Sequence, residues 1–370
     1  MNCGKKQKLL KNQNENPAPV NESRKIFAGN KKNRKTLAFS FSGGHLHRNL
    51  PAVGWYFGKP AYGNLASIGA LVILYFTQAP LAKRMVHLCI CAFGFTVAFA
   101  MGNILSFNPY ISALALGLIA FLAHLITSYF DIPPPRNFFL IMLGAIAISL
   151  PFDLDDIPAR VGVVSMGAFF SVLLAFFYSV FIAKKVDPPR VRRVLRKKRY
   201  THIVESLLIG ISMFFALFIA NIFEMKSAYW IPVSALAIIQ GKDLLHTKER
   251  NLHRIVGTFI GTGLTWLILI LEPLGLALAF IIAGLQFIVE LIIVRNYGLA
   301  VIFITPLTIF LAENSAGMTI GVNELMEARI LDTVIGSFIG LAAGWFLHNR
   351  TLVANLEKRI RGTKLKFTSH

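Results

Sequence analysis

The most distinctive charged residues of this sequence lie at the start of a glycine-rich apolar segment. Arg254, Gly257 and Gly261 are spaced at i, i+3 and i+7, so a helix would place them on one face. Thr258 follows Gly257, and these small residues leave room beside a guanidinium group. Because arginine binds carboxylates through a planar pair of N–H donors, the spacing predicts an anion contact at Arg254. The alternative is that Arg250 and Arg254 are positive anchors at a cytoplasmic helix end.

Acidic residues inside apolar segments are the second group of candidates, because charge at membrane depth is costly and usually functional. Asp332 follows Arg329 by one helical turn, at i+3, and Gly336 lies one turn further. Arg329 and Asp332 would share a helix face, where they neutralise each other or where Asp332 takes up a proton. Glu290, with Arg295 roughly a turn away, is the other buried-acid candidate.

An aromatic pair and a proline precede the two arginines of the glycine-rich segment. Tyr229 and Trp230 are typical of the aromatic belt at a membrane interface, and Pro232 interrupts the apolar segment that follows. An interrupted helix exposes backbone groups that can line a substrate path, although ordinary kinks are as common. Trp230 is therefore a further candidate for such a path. His124, deep in another apolar segment, is expected to form a hydrogen bond between helices.

The sequence contains no motif that predicts catalysis or a cofactor. It has no H-E-x-x-H, no G-x-S-x-G and no phosphate-binding loop, and its three cysteines lack disulfide or metal-ligand spacing. We therefore predict that the protein is not an enzyme and binds no metal or cofactor. Active transport by such a chain would have to be coupled to an ion gradient.

The composition requires a membrane around these residues. The chain has 370 residues, of which 55% are hydrophobic and 15% are charged, whereas about a quarter of a soluble domain is charged. Apolar runs of roughly 20 residues recur along it. The formal charge of +20 lies mostly outside these runs, where anionic lipid and positive-inside topology explain it better than nucleic acid. We predict an all-α membrane protein, a polytopic helical bundle that contacts lipid and no nucleic acid.

Basic segments divide the chain into two membrane halves. The predicted regions are a basic disordered tail at 1–35, a first half at 36–183, a basic linker at 184–202, a second half at 203–347 and a basic tail at 348–370. All three basic regions are expected in the cytoplasm, together with both termini, so each half needs an even number of crossings. Eleven spans are clear, and 36–58 is the weaker candidate for a twelfth.

Short matches between the halves predict an internal repeat. Residues 61–73 align without gaps with 228–240, and Arg160 and Arg329 each precede a glycine by seven residues. Because the matches keep the same order, the halves are expected to be parallel repeats related by an axis along the membrane normal. The prediction is about 12 transmembrane helices, six in each repeat.

Together these motifs resemble those of a known transporter family. An aromatic-Trp segment with a following proline, a basic hairpin and then R-x-x-G-T-x-x-G is similar to the fusaric acid resistance (FUSC), or aromatic acid exporter, family. The later R-x-x-D-T-x-x-G is similar to its closing motif. The resemblance covers most of the second half, and the first half as a weaker repeat. The residues at its motif positions are Trp230, Arg254, Gly257, Thr258, Gly261, Arg329, Asp332 and Gly336.

The resemblance implies proton-driven efflux of aromatic or other organic carboxylic acids across the bacterial inner membrane. Many such exporters have a large soluble domain between their membrane halves, whereas the linker here covers only 184–202. The distantly related plant malate channels imply a second reading, a passive organic-anion channel. A membrane scaffold that transports nothing is the third. A homo-oligomer is compatible with each of these alternatives.

Overall fold

The structure is a computed structural model that describes residues 54, 59–77, 79–181, 199–271, 276–293, 295–316, 322–349, 351–356 and 358. The predicted tail at 1–35 lies outside the described residues. The same is true of the weaker predicted crossing at 36–58 apart from Gly54, and of most of the linker at 184–202 and of the C-terminal tail at 348–370. The predictions for those segments therefore stay predictions.

Eleven helices of eight residues or more occur in the described part of the chain, which contains no β-strand. The helices are α1 (Pro60–Ala70), α2 (Leu81–Ile104), α3 (Pro109–Tyr129), α4 (Phe138–Ile148), α5 (Asp156–Phe181), α6 (Arg199–Ile222), α7 (Trp230–Ile239), α8 (Leu244–Leu269), α9 (Leu276–Ile292), α10 (Tyr297–Ala316) and α11 (Val322–His348). A 3-10 turn, Leu71–Tyr75, continues α1, and another, Leu105–Phe107, follows α2.

Helix length separates the bundle into two groups. Among the described residues, six helices are long and apolar enough to cross a bilayer, namely α2, α3, α5, α6, α8 and α11. The other five predicted spans correspond to shorter apolar helices. For example, α7 has 10 residues and rises only ~15 Å, half of the ~30 Å hydrocarbon layer. The all-helical membrane class is confirmed, while the count of about 12 helices and the repeat stay predictions.

The helices pack in the same order of partners in the two halves. In the first half α1 packs against α5, and α2 packs against α4 and α5. In the second half α7 packs against α11, and α8 packs against α10 and α11. Such agreement is what parallel repeats would produce.

Glycines allow the closest of these helix contacts. A Cβ atom added to Gly102 would lie 2.6 Å from the backbone oxygen of Gly144, and one added to Gly261 would lie 2.6 Å from that of Ile302. An added Cβ at Gly336 would collide with the backbone of α7. Helix association in lipid depends on such close packing, because no water is expelled between helices.

One hydrogen bond between helices was also expected, and it is present. His124 on α3 and Ser206 on α6 lie within hydrogen-bonding distance, with 2.9 Å between Nδ1 and Oγ. The prediction for this histidine is therefore confirmed.

Helix α7 occupies the centre of the described part of the second half. It contacts α4, α6, α8 and α11, and every residue from Ile231 to Ile239 is buried. A membrane helix normally exposes one side to lipid, but the only part of α7 that is not fully buried is its first residue, Trp230. The candidate residues are arranged around this short buried helix.

Candidate anion-binding site

A tight turn brings α8 back along α7 and thereby positions the two arginines of the glycine-rich segment. The side chain of Asp243 caps α8 by accepting a hydrogen bond from the backbone N–H of His246 at 2.8 Å. Gly241 lies so close to Thr247 that a Cβ atom would collide with it. The cap and the close approach set the start of α8, and therefore the heights of Arg250 and Arg254 beside α7.

Arg254 is a buried cation with one unused donor. Its side chain is 6% exposed, and its Nη2 donates to the Ser234 hydroxyl on α7 at 3.0 Å. Its Nε is buried and has no acceptor among the described residues. Arg254 is therefore buried in the bundle and not solvated at the helix end, and one of its donors is unused among the described residues.

The small residues after Arg254 serve helix packing. Gly257 and Gly261 both face α10, where added Cβ atoms would meet Val301 and Thr305. Thr258 is buried, and its carbonyl accepts a hydrogen bond from Thr262 at 2.9 Å. These residues hold α8 against α10, which keeps the Arg254 guanidinium group beside α7.

Arg250 binds the end of α7. Its Nε donates to the backbone oxygen of Ala237 at 2.9 Å, and its guanidinium group lies over the Tyr297 ring, 4.2 Å from the centroid. A cation near the last carbonyl groups of a helix interacts favourably with them. Arg250 therefore has an anchoring contact, which it makes with the C-terminal turn of α7.

Arg329 joins three helices. It is 5% exposed, and its guanidinium group lies over the Trp230 ring, 3.2 Å from the centroid. Its Nη2 donates to the Thr308 hydroxyl on α10, whereas its Nη1 is buried without an acceptor among the described residues. Stacking on an aromatic face leaves the edge of a guanidinium group available for a planar two-donor contact.

Asp332 is fully buried and is not hydrogen-bonded to Arg329. Its exposed fraction is 0%, and neither carboxylate oxygen has a hydrogen-bond partner among the described residues. Arg329 is still close enough to interact electrostatically with Asp332, Arg254 and Tyr229. The structure thus brings three candidate side chains, Arg254, Arg329 and Asp332, into one cluster with Tyr229, without a hydrogen bond between Arg329 and Asp332.

Two further sequence candidates are in α9 and in the turn that follows it. Arg295 is exposed in the turn between α9 and α10. Glu290 lies on α9, and its side chain is outside the described set. Gly336 packs against Ile231 and Ser234 of α7, so its contribution is to bring α11 and its charged residues close to α7.

Sequence reasoning missed three partners of the arginines, Ser234, Thr308 and Tyr297. Ser234 has the only hydroxyl group in α7, and that isolated polar residue in an apolar segment was a usable signal. Tyr297 directly follows a basic turn and had no distinguishing spacing. Thr308 is one of two threonines in α10, and only the packing of α10 against α8 and α11 identifies it.

The cluster has the chemistry of an incomplete anion site. Two guanidinium groups, at Arg254 and Arg329, and one carboxylate, at Asp332, leave one net positive charge when all three are ionised. A buried donor without an acceptor costs about 1–3 kcal/mol, and a charged one more. An acceptor supplied to either free N–H group would remove that cost.

The fold and this cluster define a polytopic helical membrane protein with a buried cationic site. Residues 215–343, which extend from within α6 to within α11, match the family described as fusaric acid resistance protein-like. The matched region contains every residue of the cluster. The family resemblance inferred from the motifs is therefore confirmed for the second half.

A curated relative also matches part of the chain. The sequence is 38% identical over 159 residues to the "Uncharacterized membrane protein YvaC" of Bacillus subtilis (strain 168). The match covers 43% of this chain and 25% of the relative, so the chain spans about a quarter of the length of the relative it matches. No solved structure matches the chain.

Proposed function

We propose that the protein is a membrane transporter for small organic anions, with Arg254 and Arg329 as the groups that bind the anion. The observation that carries the proposal is that two guanidinium groups are buried and that each has one N–H group without a hydrogen-bond acceptor among the described residues. Arginine in a packed core normally has its donors satisfied. Free donors at depth in a membrane bundle are expected where a ligand supplies the acceptors.

Carboxylates fit this arrangement best. The planar edge of a guanidinium group matches the two oxygens of a carboxylate. The aromatic rings of Tyr229 and Trp230 lie 4.8 Å apart beside Arg329 and offer an apolar surface to the organic part of the substrate. The similarity to fusaric acid resistance proteins supports aromatic or other organic carboxylic acids as the substrate class and efflux as the direction.

Asp332 is our candidate for proton coupling. Its buried carboxylate interacts electrostatically with Arg329, so proton uptake changes the field at the anion site. Because such coupling is reciprocal, a bound anion must alter proton binding by the same factor that a proton alters anion binding. This linkage between two ligands is what an ion-coupled transporter needs. The passive channel is the second candidate, and it needs no such linkage.

Reconstitution into proteoliposomes tests the proposal. After uptake by protein-free liposomes is subtracted, we expect saturable uptake of radiolabelled benzoate or malate that responds to an imposed pH gradient. We expect no such uptake of benzamide, which has the ring of benzoate without its charge. Single-channel currents carried by these anions, with no effect of the pH gradient on direction, would favour the channel. A protein that gives neither flux nor current is the scaffold, and the proposal is then wrong.

We also propose that the protein lies in the cell (inner) membrane with both termini in the cytoplasm. The basic composition of the terminal segments supports this orientation through the positive-inside rule. Protease accessibility of N- and C-terminal tags in right-side-out and inverted vesicles is the test. Tags on opposite sides would contradict an even number of crossings.

A further inference from the structure

Three arginines contact α7 at successive positions on one face of that helix. Arg329 stacks on Trp230, Arg254 donates to Ser234, and Arg250 donates to the backbone of Ala237. The three contacted positions of α7 are spaced at i, i+4 and i+7, which lie along a single helix face.

The spacing of these contacts is regular. With a rise of 1.5 Å per residue, the three contacts lie ~6 Å and then ~4.5 Å apart along the axis of α7, or ~10 Å in total. Each guanidinium group comes from a different turn or a different helix, since Arg329 is on α11 and the other two are on α8. We call this row, Arg329, Arg254 and Arg250, the arginine ladder.

Aromatic rings cover the two ends of the ladder. At the N-terminal end of α7, the ring of Trp230 covers Arg329. An exposed ion pair between Lys226 and Glu324 joins the α6–α7 turn to α11. At the C-terminal end, the ring of Tyr297 covers Arg250. The middle contact, Arg254 with Ser234, lies between these two closures and is buried.

We propose that the arginine ladder is the path along which the anion crosses the second half, with Trp230 and Tyr297 as gates at its two ends. The largest cost of crossing an apolar bundle is that of an anion without a counter-charge. An anion that moves from one guanidinium group to the next has a counter-charge at each step. The Lys226–Glu324 pair is exposed, so it contributes little to stability and can open readily.

The inference rests on the proposed anion transport, but its test needs no substrate. A reporter thiol is placed at the middle of the ladder by Ser234→Cys, in the full chain with Cys3, Cys89 and Cys91 replaced by serine or alanine. The protein is reconstituted, and labelling rates are measured from each side of the membrane with two impermeant thiol reagents, a methanethiosulfonate bearing a sulfonate and one bearing a trimethylammonium group.

If Trp230 and Tyr297 are gates, removing each ring should accelerate labelling from a different side of the membrane. Tyr297→Ala is expected to raise the labelling rate from the side of the α7–α8 turn, and Trp230→Ala from the side of the α6–α7 turn. Each labelling rate is divided by the rate of the same reagent with free cysteine, because a thiolate attracts the cationic reagent and repels the anionic one. The ladder predicts charge selectivity, so the sulfonate reagent is then expected to react about tenfold or more faster than the cationic one, because a cationic path concentrates anions. Arg250→Gln should reduce that preference from the α7–α8 side, while Arg250→Lys should retain most of it.

Arg295→Gln is the matched control, because it removes the same charge from an exposed arginine two residues before Tyr297 that is not part of the ladder. It should leave the preference unchanged. Equal rates for the two reagents, an equal effect of Arg295→Gln and Arg250→Gln, or acceleration from the same side by both gate variants would overturn the inference. Size-exclusion chromatography in detergent identifies variants that fail to fold. If Trp230→Ala or Tyr297→Ala fails to fold, Trp230→Phe or Tyr297→Phe takes its place, and a smaller rise in the labelling rate is expected from the same side. Transport could fail while this labelling pattern holds, which separates the two proposals.

Discussion

Arg84 in the first half and Arg329 in the second are both buried arginines that stack on an aromatic ring, yet their donors are used differently. Arg84 lies over Phe76 and donates from Nε to Thr77, from Nη1 to Ser179 and from Nη2 to Ala79, each at 2.7 Å. Arg329 leaves one buried nitrogen without an acceptor among the described residues. The contrast shows that burial alone does not distinguish the two arginines, whereas the unused donor of Arg329 does.

Arg160, which occupies the position of Arg329 in the predicted repeat of the first half, also differs from it. Arg160 precedes Gly167 by seven residues, as Arg329 precedes Gly336, but it lies near the start of α5 and pairs with Asp156 at 3.1 Å. Val163 stands where Asp332 would be expected. The first half therefore has the glycine packing of the second, but its buried arginine, Arg84, is fully hydrogen-bonded and the position that corresponds to Asp332 has no acid.

Arg84→Ala is expected to have the largest effect, because it leaves two backbone carbonyl groups and the Ser179 hydroxyl group without their donor. Hydrogen bonds to charged groups contribute about 1.5–3 kcal/mol each, so we expect the free energy of unfolding to fall by at least about 3 kcal/mol. Thermal unfolding in detergent measures the change. If the melting temperature is unaltered, the structural assignment of Arg84 is wrong.

Arg254→Ala is expected to weaken anion transport by about 10- to 100-fold in apparent affinity, which corresponds to loss of one charged hydrogen bond. The melting temperature should change less than for Arg84→Ala, because only Ser234 loses a donor. Initial rates of benzoate uptake against concentration provide the measurement. Arg160→Gln is the control, and its uptake kinetics should match those of the wild type. If the kinetics of Arg254→Ala are also unchanged, Arg254 does not bind the anion and serves only as an anchor.

A third comparison sets two glycines against each other. Gly336→Ala places a methyl group against the α7 backbone, and overpacking of this kind costs about 1–3 kcal/mol. Gly162→Ala on α5 meets no atom within 4 Å and should stabilise its helix by up to about 1 kcal/mol. Melting temperatures that move in opposite directions are expected. Equal shifts would show that Gly336 does not bring α11 against α7.

Asp332→Asn is expected to have the smallest effect at a single pH, since the side chains have the same shape and neither carboxylate oxygen has a hydrogen-bond partner among the described residues. Its consequence should appear in the pH profile instead. We expect uptake by the variant to lose its response to a pH gradient while the protein inserts and folds. Wild-type pH dependence in Asp332→Asn would remove this acid from the mechanism.

The site was predicted in part from the sequence. Arg254, Arg329, Asp332 and Trp230 were all identified from residue type and spacing, and the structure brings them together around α7. The hydrogen-bonded pair between Arg329 and Asp332 that i+3 spacing allows is absent, because Arg329 contacts Thr308 and Trp230 from other helices instead. Spacing shows which residues share a face, but it does not show what lies opposite that face.

The short length of α7 is a similar case. The sequence indicates an apolar half-span at 228–240, and the helix Trp230–Ile239 agrees with it. Its burial follows from contacts with α6 and α8, its neighbours along the chain, and with α4 and α11, which are distant along it. Hydropathy does not distinguish a helix buried in protein from one that faces lipid, because both surroundings are apolar.

By itself, the sequence determined that the chain is helical, that it belongs in a membrane, and that its second half resembles a transporter family. Those properties depend on composition, on local periodicity and on motifs read along the chain. The tertiary structure decided which arginines keep unused donors, which ones are fully bonded, and that three of them line one face of α7. These depend on partners that come from separate helices, and the partners exist only once the helices have packed.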